Sequence, residues 1–256
     1  MCYLPTPEAS TASEILIAIP GINDGAITLT ALPSQTRHST IPPPSSTKTG
    51  MVMALALNHF STTTSLQLMA GYESGHVGFY KLSTQGKWNL LSTTSPHSQP
   101  VLSLGLAPSL GYFYSSSADA VVARHSLATG TSSQTEMKTL QTKHAGQQSL
   151  TVRSDERIFA TAGWDGRVRV YAAGGKGMRE LAVLKWHKEG VYAVAFATIF
   201  DDAGQDAQEG ATDQGTGGTV VRRNLTVSQQ RLERSKTTHW LAAGSKDGKV
   251  SLWDIY

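Results

Sequence analysis

The residues of this sequence that could carry out chemistry are eight histidines, nineteen carboxylates and a single cysteine, Cys2. The lone thiol excludes an intramolecular disulfide, a four-cysteine zinc site and a CxxC redox pair, and it suits a reducing compartment. The histidines lack partners at metal-ligand spacing, and the sequence contains no GxSxG, HExxH, P-loop or GxGxxG motif. We therefore expect a protein without catalytic residues, metal or cofactor.

Two short motifs that could suggest a binding or modification site have simpler explanations. Gly174-Gly175-Lys176-Gly177 lacks the Ser or Thr that follows in a P-loop, so a flexible connection is favoured. Asn224-Leu225-Thr226 fits a glycosylation acceptor, but Met1 to Ser13 does not have the pattern of a secretory signal. We expect neither modification nor phosphate binding at these positions.

Charge and hydropathy indicate that neither nucleic acid nor membrane is the main ligand. The 22 Lys and Arg against 19 Asp and Glu give a net charge of only +3, and no basic run is long enough to follow a phosphate backbone. The longest apolar run, Met51 to Leu57, is far shorter than a membrane span. We expect a soluble, intracellular protein.

The elements that position the polar residues repeat along the chain as two strand-like runs joined by a tight turn. The clearest copy runs from Leu241 to Trp253 and turns at Asp247-Gly248. Asp-Gly between two such runs predicts a β-hairpin, because Gly accepts the positive φ of the turn. The same frame recurs from Phe159 to Tyr171, again with an aromatic residue six positions after the turn aspartate.

Three less regular copies place the remaining turns near positions 24, 74 and 119, so the first four turns are 45 to 50 residues apart. Further strand-like runs lie between the hairpins, at Met51 to Leu57, Val101 to Leu106, Ser149 to Arg153 and Gly190 to Ala197. Each unit thus supplies about four short strands. A fixed period of this length with little helical pattern predicts an all-β repeat protein.

The last two turns are 82 residues apart, and the stretch from Asp201 to Thr237 accounts for the excess. It is rich in Gly, Gln, Asp and Thr and shows no apolar periodicity, so we predict a disordered insertion. Its basic half, Arg222 to Lys236, is read as a solvated loop; contact with an acidic partner or a role in nuclear import is the alternative.

The histidines complete a family resemblance. His97, His144 and His187 each precede the first strand of a unit, and together with Asp-x5-Trp this pattern resembles the WD40 repeat. The resemblance implies an all-β propeller over 15–256 after a disordered 1–14, with units at 15–37, 51–83, 98–130, 144–175 and 187–256. The first unit would be partial, and the ring of about seven blades incomplete at the N-terminus.

In WD40 repeats a loop His, a strand Ser or Thr, the turn Asp and a third-strand Trp form a hydrogen-bonded set. The resemblance implies a complete set in the last unit, with His125 or Tyr171 in place of Trp in the two units before it. Its members are His187, Ser245, Asp247 and Trp253; His97, Ser117, Asp119 and His125; and His144, Asp165 and Tyr171, with Gly163 at the Ser position. All are expected to be structural.

The last two units also resemble one WD40 family more closely. Trp164 to Tyr171, Leu181 to Leu184, Gly190 to Phe196 and Leu241 to Tyr256 are similar to the C-terminal blades of the ASTRA-associated protein 1 family. That resemblance implies a non-catalytic scaffold of the ASTRA assembly, located in the nucleus with the cytoplasm as second compartment. The implied partners are Tel- and Tti-type subunits, Ruv-B-like ATPases and PI3-kinase-related proteins, with links to chromatin remodelling and kinase maturation.

Two alternatives remain open for the function. One is another WD40 adaptor, such as a ubiquitin-ligase substrate receptor or a G-protein β-like signalling scaffold. The other is a propeller enzyme with carboxylates or His at the channel, which is disfavoured because the repeat aspartates are explained by turns. For an interface, Trp164 is the first candidate, followed by Trp186 and Lys188, and packing between blades is the alternative for each.

Overall fold

The structure is a computed structural model that describes residues 2–3, 15–45, 48–60, 65–127, 137–174, 177–198 and 226–255. These residues form nineteen strands in five antiparallel sheets, together with one helix, α1 (Val227–Thr237). The predicted all-β architecture of repeated short strands is confirmed. The helix within the described ranges is too short and polar to cross a membrane.

Each sheet is a meander whose strands follow one another in chain order. The first sheet contains β1 (Cys2–Tyr3), β2 (Ile15–Pro20), β3 (Ile27–Leu32) and β4 (Arg37–Ile41). The second contains β5 (Val52–Phe60), β6 (Ser65–Tyr72), β7 (Val77–Leu82) and β8 (Trp88–Thr94). The third contains β9 (Val101–Ala107), β10 (Tyr112–Ser117), β11 (Val121–Ser126) and β12 (Lys138–Gln141). The fourth contains β13 (Gln147–Val152), β14 (Ile158–Gly163), β15 (Arg167–Ala172) and β16 (Arg179–Lys185). The fifth contains β17 (Val191–Phe196), β18 (Trp240–Ser245) and β19 (Val250–Asp254).

The tight turns between the second and third strands explain two of the glycines. Gly75 and Gly166 have φ of 81° and 76°, a conformation that residues with a Cβ rarely adopt. A Cβ on Gly75 would lie 2.2 Å from the His97 carbonyl oxygen, and one on Gly166 would lie 2.9 Å from the carbonyl oxygens of His187 and Glu189. Each turn therefore packs closely against the loop that leads into the next sheet. We call this side of the sheets the turn edge.

The sheets pack face to face in chain order, and each pair encloses its own hydrophobic cluster. Between the third and fourth sheets, the rings of Tyr114, Phe159 and Tyr171 stack with centroids 4.7 and 5.0 Å apart. The four clusters are centred on Leu29 and Leu68, Phe79 and Phe113, Tyr114 and Phe159, and Val170 and Val194. The row is open, because the described strands of the first and fifth sheets do not pack together.

A β-bulge recurs near the start of the first strand in the second to fifth sheets, which we call the innermost strand. These strands are β5, β9, β13 and β17. In each case one extra residue separates two consecutive cross-strand pairs. The extra residues are Met53, Leu102, Gln148 and Tyr192. A bulge bends its strand and re-aims the extra side chain, so four innermost strands present an additional residue near the turn edge.

The structure corrects two predictions of disorder. Cys2–Tyr3 pairs with β2, although 1–14 was expected to lack structure, and residues 4–14 lie outside the described ranges. Helix α1 occupies the last eleven residues of the predicted insertion 201–237, of which 201–225 also lie outside the described ranges. Thr226 begins this helix with a capping box: the Gln229 side chain accepts from the Thr226 N–H at 2.9 Å, and Thr226 Oγ1 accepts from the Gln229 N–H at 3.3 Å.

Candidate interaction surface

The most complete polar network lies in the third sheet. His97 Nδ1 is 3.2 Å from Asp119, and His97 Nε2 is 2.8 Å from the Ser115 hydroxyl. The same hydroxyl is 2.9 Å from His125 Nε2, and His125 Nδ1 lies 3.4 Å from the Thr94 hydroxyl. The ring of His125 stacks on Phe113 at 4.5 Å. Both imidazoles are buried, with about 3% of their surface exposed.

One arrangement of protons satisfies this whole chain of groups. A carboxylate only accepts, so His97 donates from Nδ1 to Asp119 and its Nε2 accepts from Ser115. The Ser115 oxygen then accepts from His125 Nε2–H, and His125 Nδ1 accepts from the Thr94 hydroxyl. Burial lowers the pKa of His97 despite the charge of Asp119, and burial with the neighbouring His97 lowers the pKa of His125 to about 3. Both histidines are therefore neutral and structural.

The fourth sheet uses a different arrangement, because Arg169 takes the position that His144 was expected to fill. Arg169 is 1% exposed and donates two hydrogen bonds to Asp165, at 2.6 and 3.2 Å. The side chain of His144 is 47% exposed and lies 3.8 Å from Asp165. Burial favours a higher pKa for Asp165, but the hydrogen bonds and charge of Arg169 outweigh it and lower the pKa. The buried Tyr171 packs on Phe159.

In the fifth sheet the predicted set is only partly assembled. His187 Nε2 lies 2.8 Å from the Ser251 hydroxyl, which also accepts from Trp253 Nε1 at 2.9 Å. Ser245 instead donates to the carbonyl oxygen of Gly190 at 3.2 Å. Asp247 forms an ion pair with Lys249 at 2.9 Å, and its hydrogen bond to Lys249 lowers its pKa. Among the described residues His187 Nδ1 has no hydrogen-bond partner.

The position of the network hydroxyl is the feature that the sequence reasoning missed. Ser117 was expected to meet His97, but its hydroxyl donates to the Gln99 carbonyl oxygen at 3.0 Å and accepts from the Asp119 N–H. Ser115, four residues before Asp119, meets His97 instead. Residues two apart on a strand share a face, so alternation could not distinguish the two serines. The His97 imidazole reaches past Ser117, which is nearer the turn, to Ser115, which lies further along β10. The reach of the ring therefore determines which serine is its partner.

The three residues predicted for an interface lie together at the turn edge of the fourth and fifth sheets. Trp164 is 47% exposed and Trp186 53% exposed, and Lys188 is also exposed. The sequence reasoning missed Tyr192, the bulge residue of β17, which is 47% exposed. Gly190 joins the group, since a Cβ there would lie 3.1 Å from the Trp164 carbonyl oxygen and 3.2 Å from the Tyr192 ring. We call Trp164, Trp186 and Tyr192 the aromatic surface.

This arrangement suits binding better than catalysis. Half-exposed aromatic rings, such as those on this turn, loop and strand bulge, are the side chains that commonly anchor protein interfaces. Most polar groups of the three networks are occupied by hydrogen bonds within the sheets. Within the described ranges, no cluster of three or more His, Cys, Asp or Glu residues could hold a metal ion.

Comparison with known proteins places the same part of the chain in a repeat family. The model of the WD domain, G-beta repeat, matches residues 135–172 and 232–254. The first segment covers β12, the last strand of the third sheet, and β13 to β15 of the fourth sheet. The second segment covers the end of α1 together with β18 and β19. The match therefore falls on the two units whose turns carry Trp164 and Asp247.

Longer matches extend over nearly the whole chain. ASTRA-associated protein 1 of Verticillium alfalfae is 48% identical over 98% of this chain and 61% of the relative. ASTRA-associated protein 1 of Aspergillus niger is 43% identical over all of this chain and 68% of the relative. Guanine nucleotide-binding protein subunit beta-like protein 1 of mouse is 32% identical over 94% of this chain and 60% of the relative. The chain thus spans about three fifths to two thirds of these relatives.

Proposed function

The chain belongs to the ASTRA-associated protein 1 family of WD40 proteins, and from this membership we propose that it is a non-catalytic scaffold subunit of an ASTRA assembly. The observation that carries the proposal is the identity of 43 to 48% with several proteins of that name over nearly the whole chain. The exposed aromatic surface supports it, because a scaffold needs side chains that bind without reacting.

The proposed partners are Tel- and Tti-type subunits, Ruv-B-like ATPases and PI3-kinase-related proteins. Through them the chain would contribute to chromatin remodelling and to maturation of those kinases, in the nucleus and secondarily in the cytoplasm. His97, Asp119, Asp165 and His187 support a structural role, since each forms a hydrogen bond within the sheets.

Affinity purification of the tagged chain from its own cells tests the proposal. Quantitative mass spectrometry is expected to recover Tel-type, Tti-type and Ruv-B-like proteins in amounts comparable to the bait. Recovery of ubiquitin-ligase subunits or of a G-protein γ-like partner in their place would favour the other WD40 adaptors. A folded bait that recovers none of these proteins would reject the ASTRA assignment.

A further inference from the structure

Two of the three rings of the aromatic surface, those of Trp164 and Trp186, are held by neighbouring residues. Trp164 Nε1 donates to the side-chain oxygen of Gln148 at 2.7 Å, and a Cβ on Gly146 would lie 2.3 Å from the Trp164 ring. The Trp186 ring meets the His187 ring edge-on, with centroids 4.8 Å apart. Because these rings are already fixed, a ligand that stacks on them would cost little side-chain entropy.

A cavity of about 260 Å³ adjoins the surface and is lined by Trp186, His187, Lys188, Asp247 and Lys249. Sites for drug-sized ligands and cofactors usually measure roughly 300 to 1,000 Å³, so this cavity suits a smaller group, such as one side chain of a partner. Its lining combines the indole of Trp186 with the alkyl stems and ammonium groups of two lysines. Lysine stems can cover apolar surface while their charges remain at the rim.

The charges around the cavity are unbalanced. Five cationic side chains lie on the surrounding turns and strand ends: Arg167, Lys185, Lys188, Lys246 and Lys249. Three carboxylates accompany them, but Asp165 pairs with the buried Arg169 and with Arg167, and Asp247 pairs with Lys249. Only Glu189 remains to offset the charges of Lys185, Lys188 and Lys246. The excess positive charge therefore attracts anions to a surface that also offers aromatic rings.

We propose that this part of the turn edge binds an acidic peptide segment that carries one apolar side chain. The apolar side chain enters the cavity beside Trp186, the carboxylates pair with Lys188 and its cationic neighbours, and the peptide runs across Trp164 and Tyr192. A nucleic acid fits less well, because no basic run in the chain is long enough to follow a phosphate backbone. The inference rests on the proposed scaffold function only in requiring that the ligand is a protein segment.

Fluorescence anisotropy with the full chain tests the proposal. The probes are labelled peptides of Asp and Glu with one central Leu, and the same peptides with every Asp and Glu changed to Asn and Gln. We expect the acidic peptide to bind at least about tenfold more tightly than the neutral one, and salt to weaken it. Equal binding of both peptides, no binding of either, or tighter binding of a single-stranded RNA of similar length would overturn the proposal.

Two surface variants locate the site. Trp186→Ala and Lys188→Glu are each expected to weaken binding of the acidic peptide by about tenfold or more. The first variant removes a half-exposed aromatic anchor, and the second reverses a charge. Lys87→Glu, at an exposed turn of the second sheet, is the matched control and should change binding less than twofold. Thermal unfolding by circular dichroism should give equal melting temperatures for all three. An equal loss in the Lys87→Glu variant would show general charge attraction and reject the site.

A failure of the peptide-binding proposal can be distinguished from a failure of the ASTRA scaffold proposal. If tagged Lys188→Glu chain still recovers ASTRA subunits while it no longer binds the peptide, the surface serves another acidic partner and the scaffold proposal stands. If the natural chain recovers no ASTRA subunit but binds the peptide, the surface stands and the assembly is wrong. If it recovers the subunits and binds neither peptide, the surface proposal alone fails.

Discussion

The fourth and fifth sheets share one sequence frame but differ in how their matching residues are buried. Val168 and Val170 of β15 are 1% and 2% exposed, because they pack on the fifth sheet. Their counterparts in β19, Val250 and Leu252, are 66% and 64% exposed. The frame therefore sets the strands and the turn, whereas burial depends on whether another sheet follows. An identical pattern can build a core in one place and an open apolar face in another.

The hydrogen-bond networks of the third and fifth sheets also differ, because only the third sheet has a neighbour on both faces. In the third sheet, which has neighbours on both faces, two buried histidines share one serine and every network atom has a partner. In the fifth sheet the turn aspartate pairs with the exposed Lys249, and His187 Nδ1 has no partner in the described part of the chain. Desolvation by a second neighbour makes the complete network necessary.

The largest expected effect comes from truncating the matched apolar pairs. Val168→Ala with Val170→Ala should lower the free energy of unfolding by about 3–4 kcal/mol, because buried methyl groups are lost and a cavity remains. Val250→Ala with Leu252→Ala should lower it by less than about 1 kcal/mol. Urea unfolding of both double variants measures the difference. Equal losses would mean that something covers the outer face of the fifth sheet in solution, and the comparison would fail.

Removing the shared hydroxyls sharpens the comparison of the networks. Ser115→Ala should lower the free energy of unfolding by about 2–3 kcal/mol, because both buried imidazoles lose a partner. Ser251→Ala should cost about 1 kcal/mol, since His187 and Trp253, the two side chains that lose a partner, are only partly buried. Chemical denaturation of the two variants provides the measurement. A cost for Ser251→Ala as large as that for Ser115→Ala would contradict the view that the last network is incomplete.

The turn aspartates provide a third matched pair. Asp165→Asn should lower the free energy of unfolding by about 2 kcal/mol, because the buried guanidinium of Arg169 loses its charged partner; partial exposure of Asp165 keeps the loss modest. Asp247→Asn should leave the melting temperature unchanged, because its ion pair with Lys249 is exposed and weak. Differential scanning calorimetry compares them. A larger shift for Asp247→Asn would show that the fifth network closes in solution.

Acid should act first on the inner network. The pKa values of His97 and His125 lie below the ordinary value of 6.5, so the unfolded chain binds more protons than the folded one below that pH. The contribution of the two neutral histidines to the free energy of unfolding is fully present above pH 6.5. It falls as the pH decreases, by up to about 1.4 kcal/mol per pH unit for each histidine. Urea unfolding between pH 7 and 5 measures the slope. His125→Phe should reduce it, and an unchanged slope would refute the assignment.

Much of the fold could be predicted from the sequence because hairpin turns and strand alternation are local. The predicted run Gly190 to Ala197 is β17 with one residue trimmed at each end, and Asp-Gly located three of the five turns. The capping box at Thr226 was also local and could have revealed helix α1. The bulges and the choice of Ser115 over Ser117 could not be found this way. The bulges depend on how neighbouring strands pair, and the choice of serine depends on how far the His97 ring reaches. Neither is determined by residues that are adjacent in the sequence.

At the bulge residues, ligand recognition at the turn edge is independent of packing between the sheets. Met53, Leu102, Gln148 and Tyr192 stand outside the cross-strand pairing, and none of them belongs to a fully buried cluster. Changes at these four positions can therefore alter what the turn edge recognises without altering the packing between sheets. Substitutions at the two exposed members, Met53 and Tyr192, could therefore change ligand preference with little change in the melting temperature.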